Sequence, residues 1–452
     1  MPSLPSSPTD TFHGRFTQQH AARLLWRAGF GPKPGDAKRL AALGLDGAVA
    51  SLTRPPGAAQ LIGPKPHSAP GQPLDPVDVW GDDHCWWLDR MVRSTHQLVE
   101  RMTLIWHSWF ATSIDGATQG LMLKQNQMMR ARWLGNFHDL LVDVTRDPAM
   151  LLWLSGNANT KYSPNENYGR EVMELFTLGA QRGYSQRDVH NQARALTGWT
   201  NTWDQGSGPT NFRFDPELHD DGVKVIFGHR GRFDYLDTCR LCTAHPLHPS
   251  FMIPKLWGYF IPEPIPGPTL RALERTYRAS GFETRPLVEA ILRHPLFYEG
   301  GRMVIPPVVY CAGLLRAQRR TVQTNSWAWI GELTGQRLFE PPNVAGWDYT
   351  HWLDTSRWSG RFTAVNYVLE ETAIDPESKH YPERESAPQA VARALAFWDD
   401  PTISETTHRS LLSFSGSAQR LMKADWEQVP YRVMRQNALR ALIPTTPDWQ
   451  TC

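Results

Sequence analysis

Apolar side chains recur at helical spacing along most of the chain. Ala21, Leu24, Leu25 and Ala28 mark a first helix over Thr17–Ala28, which Gly29-Phe30-Gly31-Pro32 then breaks. Two short helices are expected over Gly35–Leu43 and Leu45–Leu52, separated by Gly44. The Pro- and Gly-rich stretch Pro55–Pro76 reads as an irregular loop. The central periodicity predicts helices over Asp83–Arg93, His96–Ala111, Gly120–Leu134, Phe137–Thr145 and Ala149–Leu154, then Ser163–Leu178 and Ser185–Leu196.

Asn201–Phe233 breaks the rhythm. It is rich in Gly, Asp and aromatic residues, and Val223–Phe227 has strand-type composition, so a long loop with a small hairpin is expected. Helical spacing resumes over Asp237–Thr243, Ser250–Phe260, Pro268–Ala279, Arg285–Arg293, Val304–Gln318, Asn325–Leu333 and Trp358–Leu369. After a charged, Pro-containing linker at Asp375–Ser386, helices over Pro388–Phe397, Ser404–Ser413 and Tyr431–Leu442 close the chain. The expected fold is therefore all-α, with one long irregular loop and a small β-hairpin. Residues 1–372, including loop 201–235, form the helical main domain. Residues 373–452 supply a linker and C-terminal helices packed on it.

The remaining composition mostly excludes. A net charge of +2 without a sustained basic run argues against a nucleic-acid partner. No stretch approaches the roughly 18 apolar residues of a membrane span. Met1–Arg15 has no basic segment followed by an apolar one, so the expected compartment is the cytoplasm, with export if a leader has been removed. Five scattered cysteines do not form a disulfide framework. Cys239 and Cys242 with His245 have metal-like spacing, but one such pair without a second half reads as small residues on a helix. Nineteen tryptophans suit core packing first and sugar stacking second.

Candidate chemistry gathers between Trp106 and Asp234. In the helix from Ser163, Ser163 reads as the N-cap, Pro164 as the first helical residue, Glu166 as the capping-box partner and Gly179 as the C-terminal stop. With residues about 100° apart around the axis, Glu171 falls inside the apolar sector and Glu174 at its edge. A carboxylate so placed either joins a buried ion pair, with Arg170 as a neighbour for Glu174, or acts as acid, base or metal ligand. Asn165 and Asn167 on the same helix are candidate substrate contacts. Ser185 with Asp188 reads as a second cap. Arg194 is expected to anchor Glu171 or Glu174, or to clamp an anion. His107, among Trp106, Trp109 and Phe110, is either a core histidine or a base, ligand or haem ligand. In the loop, His219 with Asp220 forms an acid/base or ligand pair, and Lys224 is a candidate substrate contact. The motifs of nucleophilic-serine hydrolases, zinc proteases and dinucleotide or phosphate-loop proteins are absent.

These stretches, together with Ala22–Gly31, Asp147–Leu151, Lys255-Leu256-Trp257 and Glu340–Trp347, resemble the bacterial domain-of-unknown-function 1800 family. The resemblance spans nearly the whole chain. It implies a mostly helical protein, and relatives that often look exported and occur in envelope or polysaccharide contexts. It also implies a second histidine in many relatives where this chain has Trp109, so a His-x-His pair is broken here. The leading expectation is an enzyme whose catalytic cluster is Glu171, Glu174, His107, His219 and Asp220. Arg170, Asn165, Asn167, Arg194 and Lys224 would hold a polar substrate such as a carbohydrate. The cofactor is not identified; a divalent metal on the cluster is the candidate. The alternative is a non-catalytic binding or scaffold protein whose polar residues form a buried structural network.

Overall fold

The computed structural model describes residues 11–377, 381, 385–421 and 425–452. The start of the Met1–Arg15 segment and part of the 375–386 linker lie outside the described residues. Among the described residues there are 22 α-helices and three two-stranded antiparallel sheets, so the protein is predominantly helical. None of these helices is long and apolar enough to cross a membrane.

Local chemistry sets many of the helix starts. Thr17 and His20 cap each other reciprocally ahead of Gln18–Arg27, and Ser185 and Asp188 do the same ahead of Gln186–Ala195. Asp147 accepts the Met150 amide at 3.1 Å, with Pro148 at the first helical position. The Ser163 cap is corrected. Thr160 and Ser163 pair as an isolated bridge, which holds Ser163 out of the helix. Asn165 is the N-cap instead, its side chain accepting the Asn167 amide at 2.9 Å.

The apolar faces meet in two cores. One gathers Trp106, Trp109, Phe110, Phe137 and Phe176 with Trp257 and Tyr277. The other joins Trp87, Val308, Tyr310 and Ile330 to Ala390, Leu411, Leu439 and Ile443 of the C-terminal helices. The C-terminal helices thus share a core with the centre of the chain. A buried arginine ties distant segments together. Arg27 donates to the carbonyls of Phe260 (3.3 Å), Phe297 (3.1 Å), Gly301 (2.6 Å) and Cys452 (2.7 Å).

The irregular region holds two hairpins rather than one. Trp199–Asp204 pairs with Gly208–Phe214, and Lys224–Ile226 pairs with His229–Gly231. A third, short hairpin joins His67–Ala69 to Gln72–Pro73 inside the Pro55–Pro76 stretch.

Candidate functional site

The helix that begins at Glu166 changes character halfway. It is α-helical over Glu166–Glu171 and widens to π geometry over Val172–Thr177, where the Leu178 amide reaches back to the Met173 carbonyl at 2.8 Å. Gly179, at φ +94°, then ends it. A π segment leaves carbonyls without their usual α-helical donors, and such segments are frequent at functional sites. Three side chains from elsewhere in the sequence fill that need. Lys255 Nζ donates to Leu175 O at 2.9 Å, Trp109 Nε1 to Phe176 O at 3.1 Å, and His248 Nδ1 to Thr177 O at 2.9 Å.

Glu171 and Glu174 stand at this α-to-π junction. Both are half-buried, and neither forms an ion pair among the described residues. Burial pushes the Glu171 carboxyl above its ordinary pKa and the charge of Glu174 adds to the rise, while Arg170 opposes it. Arg170 itself bonds Glu166 (3.2 Å) and Gln186 (3.1 Å), not Glu174. Glu166 is therefore held by Arg170, by Gln186 and by His190 at 3.4 Å, rather than by a capping box. Behind this helix, Gly169 lies against the backbone of Gln186–Ala195. A β-carbon there would meet the Ala193 nitrogen at 3.0 Å and the Val189 oxygen at 3.3 Å.

His219, Asp220, Arg194 and Lys224 form a separate knot. Arg194 grips Asp220 through two bonds of 2.7 and 3.2 Å, so it anchors Asp220 and not Glu171 or Glu174. Burial alone would raise the Asp220 pKa. The Arg194 bonds, the Gly222 amide and the Lys224 charge outweigh it and hold the carboxyl below its usual range. Lys224 is buried and donates to the carbonyls of Asp220 and Gly222. His219 Nδ1 donates to Thr197 O at 2.9 Å. These groups fasten the loop to the end of Gln186–Ala195.

His107 is placed elsewhere again. It is 1% exposed, ringed by Trp87, Phe339 and Trp347, and its Nε2 has no hydrogen-bond partner. Burial pushes its pKa down to about 3, so it is a neutral core histidine at physiological pH. Of the two asparagines, Asn165 serves as the cap and Asn167 donates to Leu154 O at 3.3 Å.

The sequence-selected groups therefore do not converge on one centre. Among the described residues, no three of His, Cys, Asp or Glu gather as a metal site requires. Cys239 and Cys242 bond Thr145 and Gln192 at 3.3 Å, and burial pushes both thiols up to about 12. A cavity of about 370 Å³ opens far along the chain from all of these residues, lined by Arg23, Trp26, Arg302, Trp398, Asp400 and Trp449.

Two features escaped sequence reasoning. The π widening has no local signature, because its stabilising donors come from other helices. Lys255 does have one: it is the single charge in the otherwise apolar run Phe251–Phe260.

No curated protein and no solved structure matches the chain. A family model described as "Protein of unknown function (DUF1800)" matches residues 23–451, and the chain belongs to that family.

Proposed function

We propose that the chain is an enzyme in which Glu171 transfers a proton to or from a polar substrate. One observation carries this reading. Of the carboxylates singled out in the sequence, Glu171 combines a half-buried position, no ion pair among the described residues and a pKa raised by burial and by Glu174. A carboxyl raised toward neutrality suits acid/base work, and the π segment beside it is a common functional device. The charge of Glu174 adds to the rise at Glu171, and Arg170 is near enough to favour an anionic substrate group. The polysaccharide and envelope setting of the resembling family makes a carbohydrate the first substrate class to try. Four free cysteines, Cys85, Cys239, Cys242 and Cys311, are buried, which fits a reducing compartment such as the cytoplasm.

A second reading, non-catalytic binding of a polar ligand, is favoured by the cavity at Trp26, Trp398 and Trp449. Its indoles and charged groups combine apolar walls with polar contacts.

The test is a panel of chromogenic glycosides, esters and phosphates, run on the wild type and on Glu171→Gln. The variant is expected to keep its melting temperature and lose turnover by about 10²- to 10⁴-fold. Retained turnover sinks the reading, and an unfolded variant makes Glu171 structural. Absence of turnover, with a sugar raising the melting temperature of both proteins equally, selects the binding reading.

A further inference from the structure

The cavity of about 370 Å³ lies between the first helix and the last residues of the chain. Its inner wall offers donors that the protein does not use. Trp26 packs the Cη2 edge of its ring on the backbone of Gly31 and Gly313, where a β-carbon would collide with it. That leaves the pyrrole side of the indole toward the cavity. Trp449 is 7% exposed and meets Trp26 edge to face at 5.9 Å. Neither indole N–H has a hydrogen-bond partner among the described residues, whereas Trp398, which also lines the cavity, donates to Arg440 O at 2.9 Å. Arg23 adds charge to these donors. One of its nitrogens is spent on the carbonyls of Tyr298 (2.5 Å) and Gly300 (3.3 Å), and no carboxylate lies within ion-pair distance among the described residues. Burial and the guanidinium of Arg27 lower its pKa, an imbalance that an anion relieves. The other arginine of the cavity is closed: Arg302 bonds Asp448 at 2.7 Å, and Asp448 also accepts the Ser404 amide at 2.9 Å. The opposite charge stands at the exposed mouth. Asp399 and Asp400 follow the Ala387–Phe397 helix, at the negative end of its dipole, where acidic side chains are disfavoured. Neither forms an ion pair among the described residues, and Asp399 accepts the Gly35 amide at 2.9 Å.

We propose that this cavity binds a small zwitterion, an amino acid or dipeptide, with its carboxylate on Arg23 and the indole N–H groups, its ammonium toward Asp399 and Asp400, and an apolar side chain against Trp26. The arrangement sets a donor-bearing inner wall opposite an acidic mouth, and a ligand with one charge of each sign answers both. A simple anion meets the two aspartates at the mouth. A simple cation leaves Arg23 without a counter-charge. The volume falls within the roughly 300–1,000 Å³ of small-molecule sites and is more than a single inorganic ion needs. The proposal rests on the binding reading of this cavity and makes no use of Glu171.

Isothermal titration calorimetry on the intact chain compares probes built on one body. L-phenylalanine and L-phenylalanylglycine are zwitterions, N-acetyl-L-phenylalanine keeps only the carboxylate, and L-phenylalanine methyl ester keeps only the ammonium. At least one zwitterion is expected to bind about tenfold or more tightly than both single-charge probes. Arg23→Gln should remove its advantage over the methyl ester. The paired substitution Asp399→Asn and Asp400→Asn should remove its advantage over the N-acetyl probe. Asn keeps an acceptor for the Gly35 amide and tolerates the left-handed backbone at these positions (φ +62° and +50°), so this variant keeps its fold even if Arg23→Gln does not. Zwitterions that bind no better than the N-acetyl probe, or a paired variant with wild-type affinities, overturn the proposal. Zwitterions that do not bind while a neutral sugar does also overturn it, but leave the binding reading standing. Absence of binding by either removes both.

Discussion

Lowering the pH from 7 to 5 should destabilise this protein steeply, because three histidines are held neutral in its interior. His84 accepts the Leu338 amide at 3.0 Å through Nδ1, and burial pushes its pKa down to about 3. His107 has an unpartnered Nε2 among aromatic rings and is likewise pushed down by burial to about 3. His248 donates to Thr177 O and bonds the Tyr277 hydroxyl at 3.1 Å, and burial brings it down to about 4. In the unfolded chain each titrates near its ordinary value of about 6.5. As pH falls through that value, only the unfolded state takes up the protons, so stability is lost until the folded values are reached. Between pH 7 and 5 each histidine costs about 2 kcal/mol. Asp147 opposes them. Burial raises its carboxyl to about 6, so the folded state takes up a proton first and recovers about 1 kcal/mol over the same range. The net loss is about 4 to 5 kcal/mol, with a slope near pH 5.5 equivalent to about two protons. Urea denaturation followed by tryptophan fluorescence, at fixed pH values between 7 and 5, measures it. A stability that is flat or rises over that interval refutes the reasoning.

Two further outcomes concern the helix that carries Glu171. Gly169→Ala should destabilise the protein by about 1 to 3 kcal/mol, because the new methyl is forced against the backbone of Gln186–Ala195; urea midpoints compared with the wild type decide it. Trp109→Phe should cost about 1 to 3 kcal/mol by leaving the Phe176 carbonyl without its indole donor. The same denaturation assay reads this loss, and a neutral effect would show that the π segment does not need that bond.

The helical layout was legible in the sequence because its signals are local. Thr17–Ala28, Asp83–Arg93 and Arg285–Arg293 carry their apolar spacing within one segment, and the structure places Gln18–Arg27, Asp82–Arg93 and Arg285–Arg293 there. The Ser185–Asp188 cap was legible for the same reason, since both partners lie within one turn. The Ser163 cap misled because Ser163, Pro164 and Glu166 satisfy the local pattern, while the bridge to Thr160 and the bond from Lys161 to Leu218 O fix the preceding chain in an extended form. Pairings across the sequence were the least legible. Arg170, Arg194 and Asp220 are legible as candidates and Glu166 as a capping residue, yet which acid meets which base depends on helix rotation and loop path. Helical periodicity does place Glu171 on a face that is partly covered, and its half-burial follows from that. It does not disclose the three donors that hold the π segment open, which arrive from residues 109, 248 and 255.

The seat of Arg27 also orders events during synthesis. The residue leaves the ribosome early, but its carbonyl partners span residues 260 to 452. Until those partners are made, the Gln18–Arg27 helix carries a guanidinium whose final site does not yet exist, so that helix cannot be locked in place as it emerges. Closure around Arg27 waits until its carbonyl partners at residues 260, 297, 301 and 452 have been made, and until then the apolar face of the Gln18–Arg27 helix is available to chaperones or to other nascent chains. A truncation before residue 260 would leave the Gln18–Arg27 helix in that unfinished state, with every one of these four carbonyls missing.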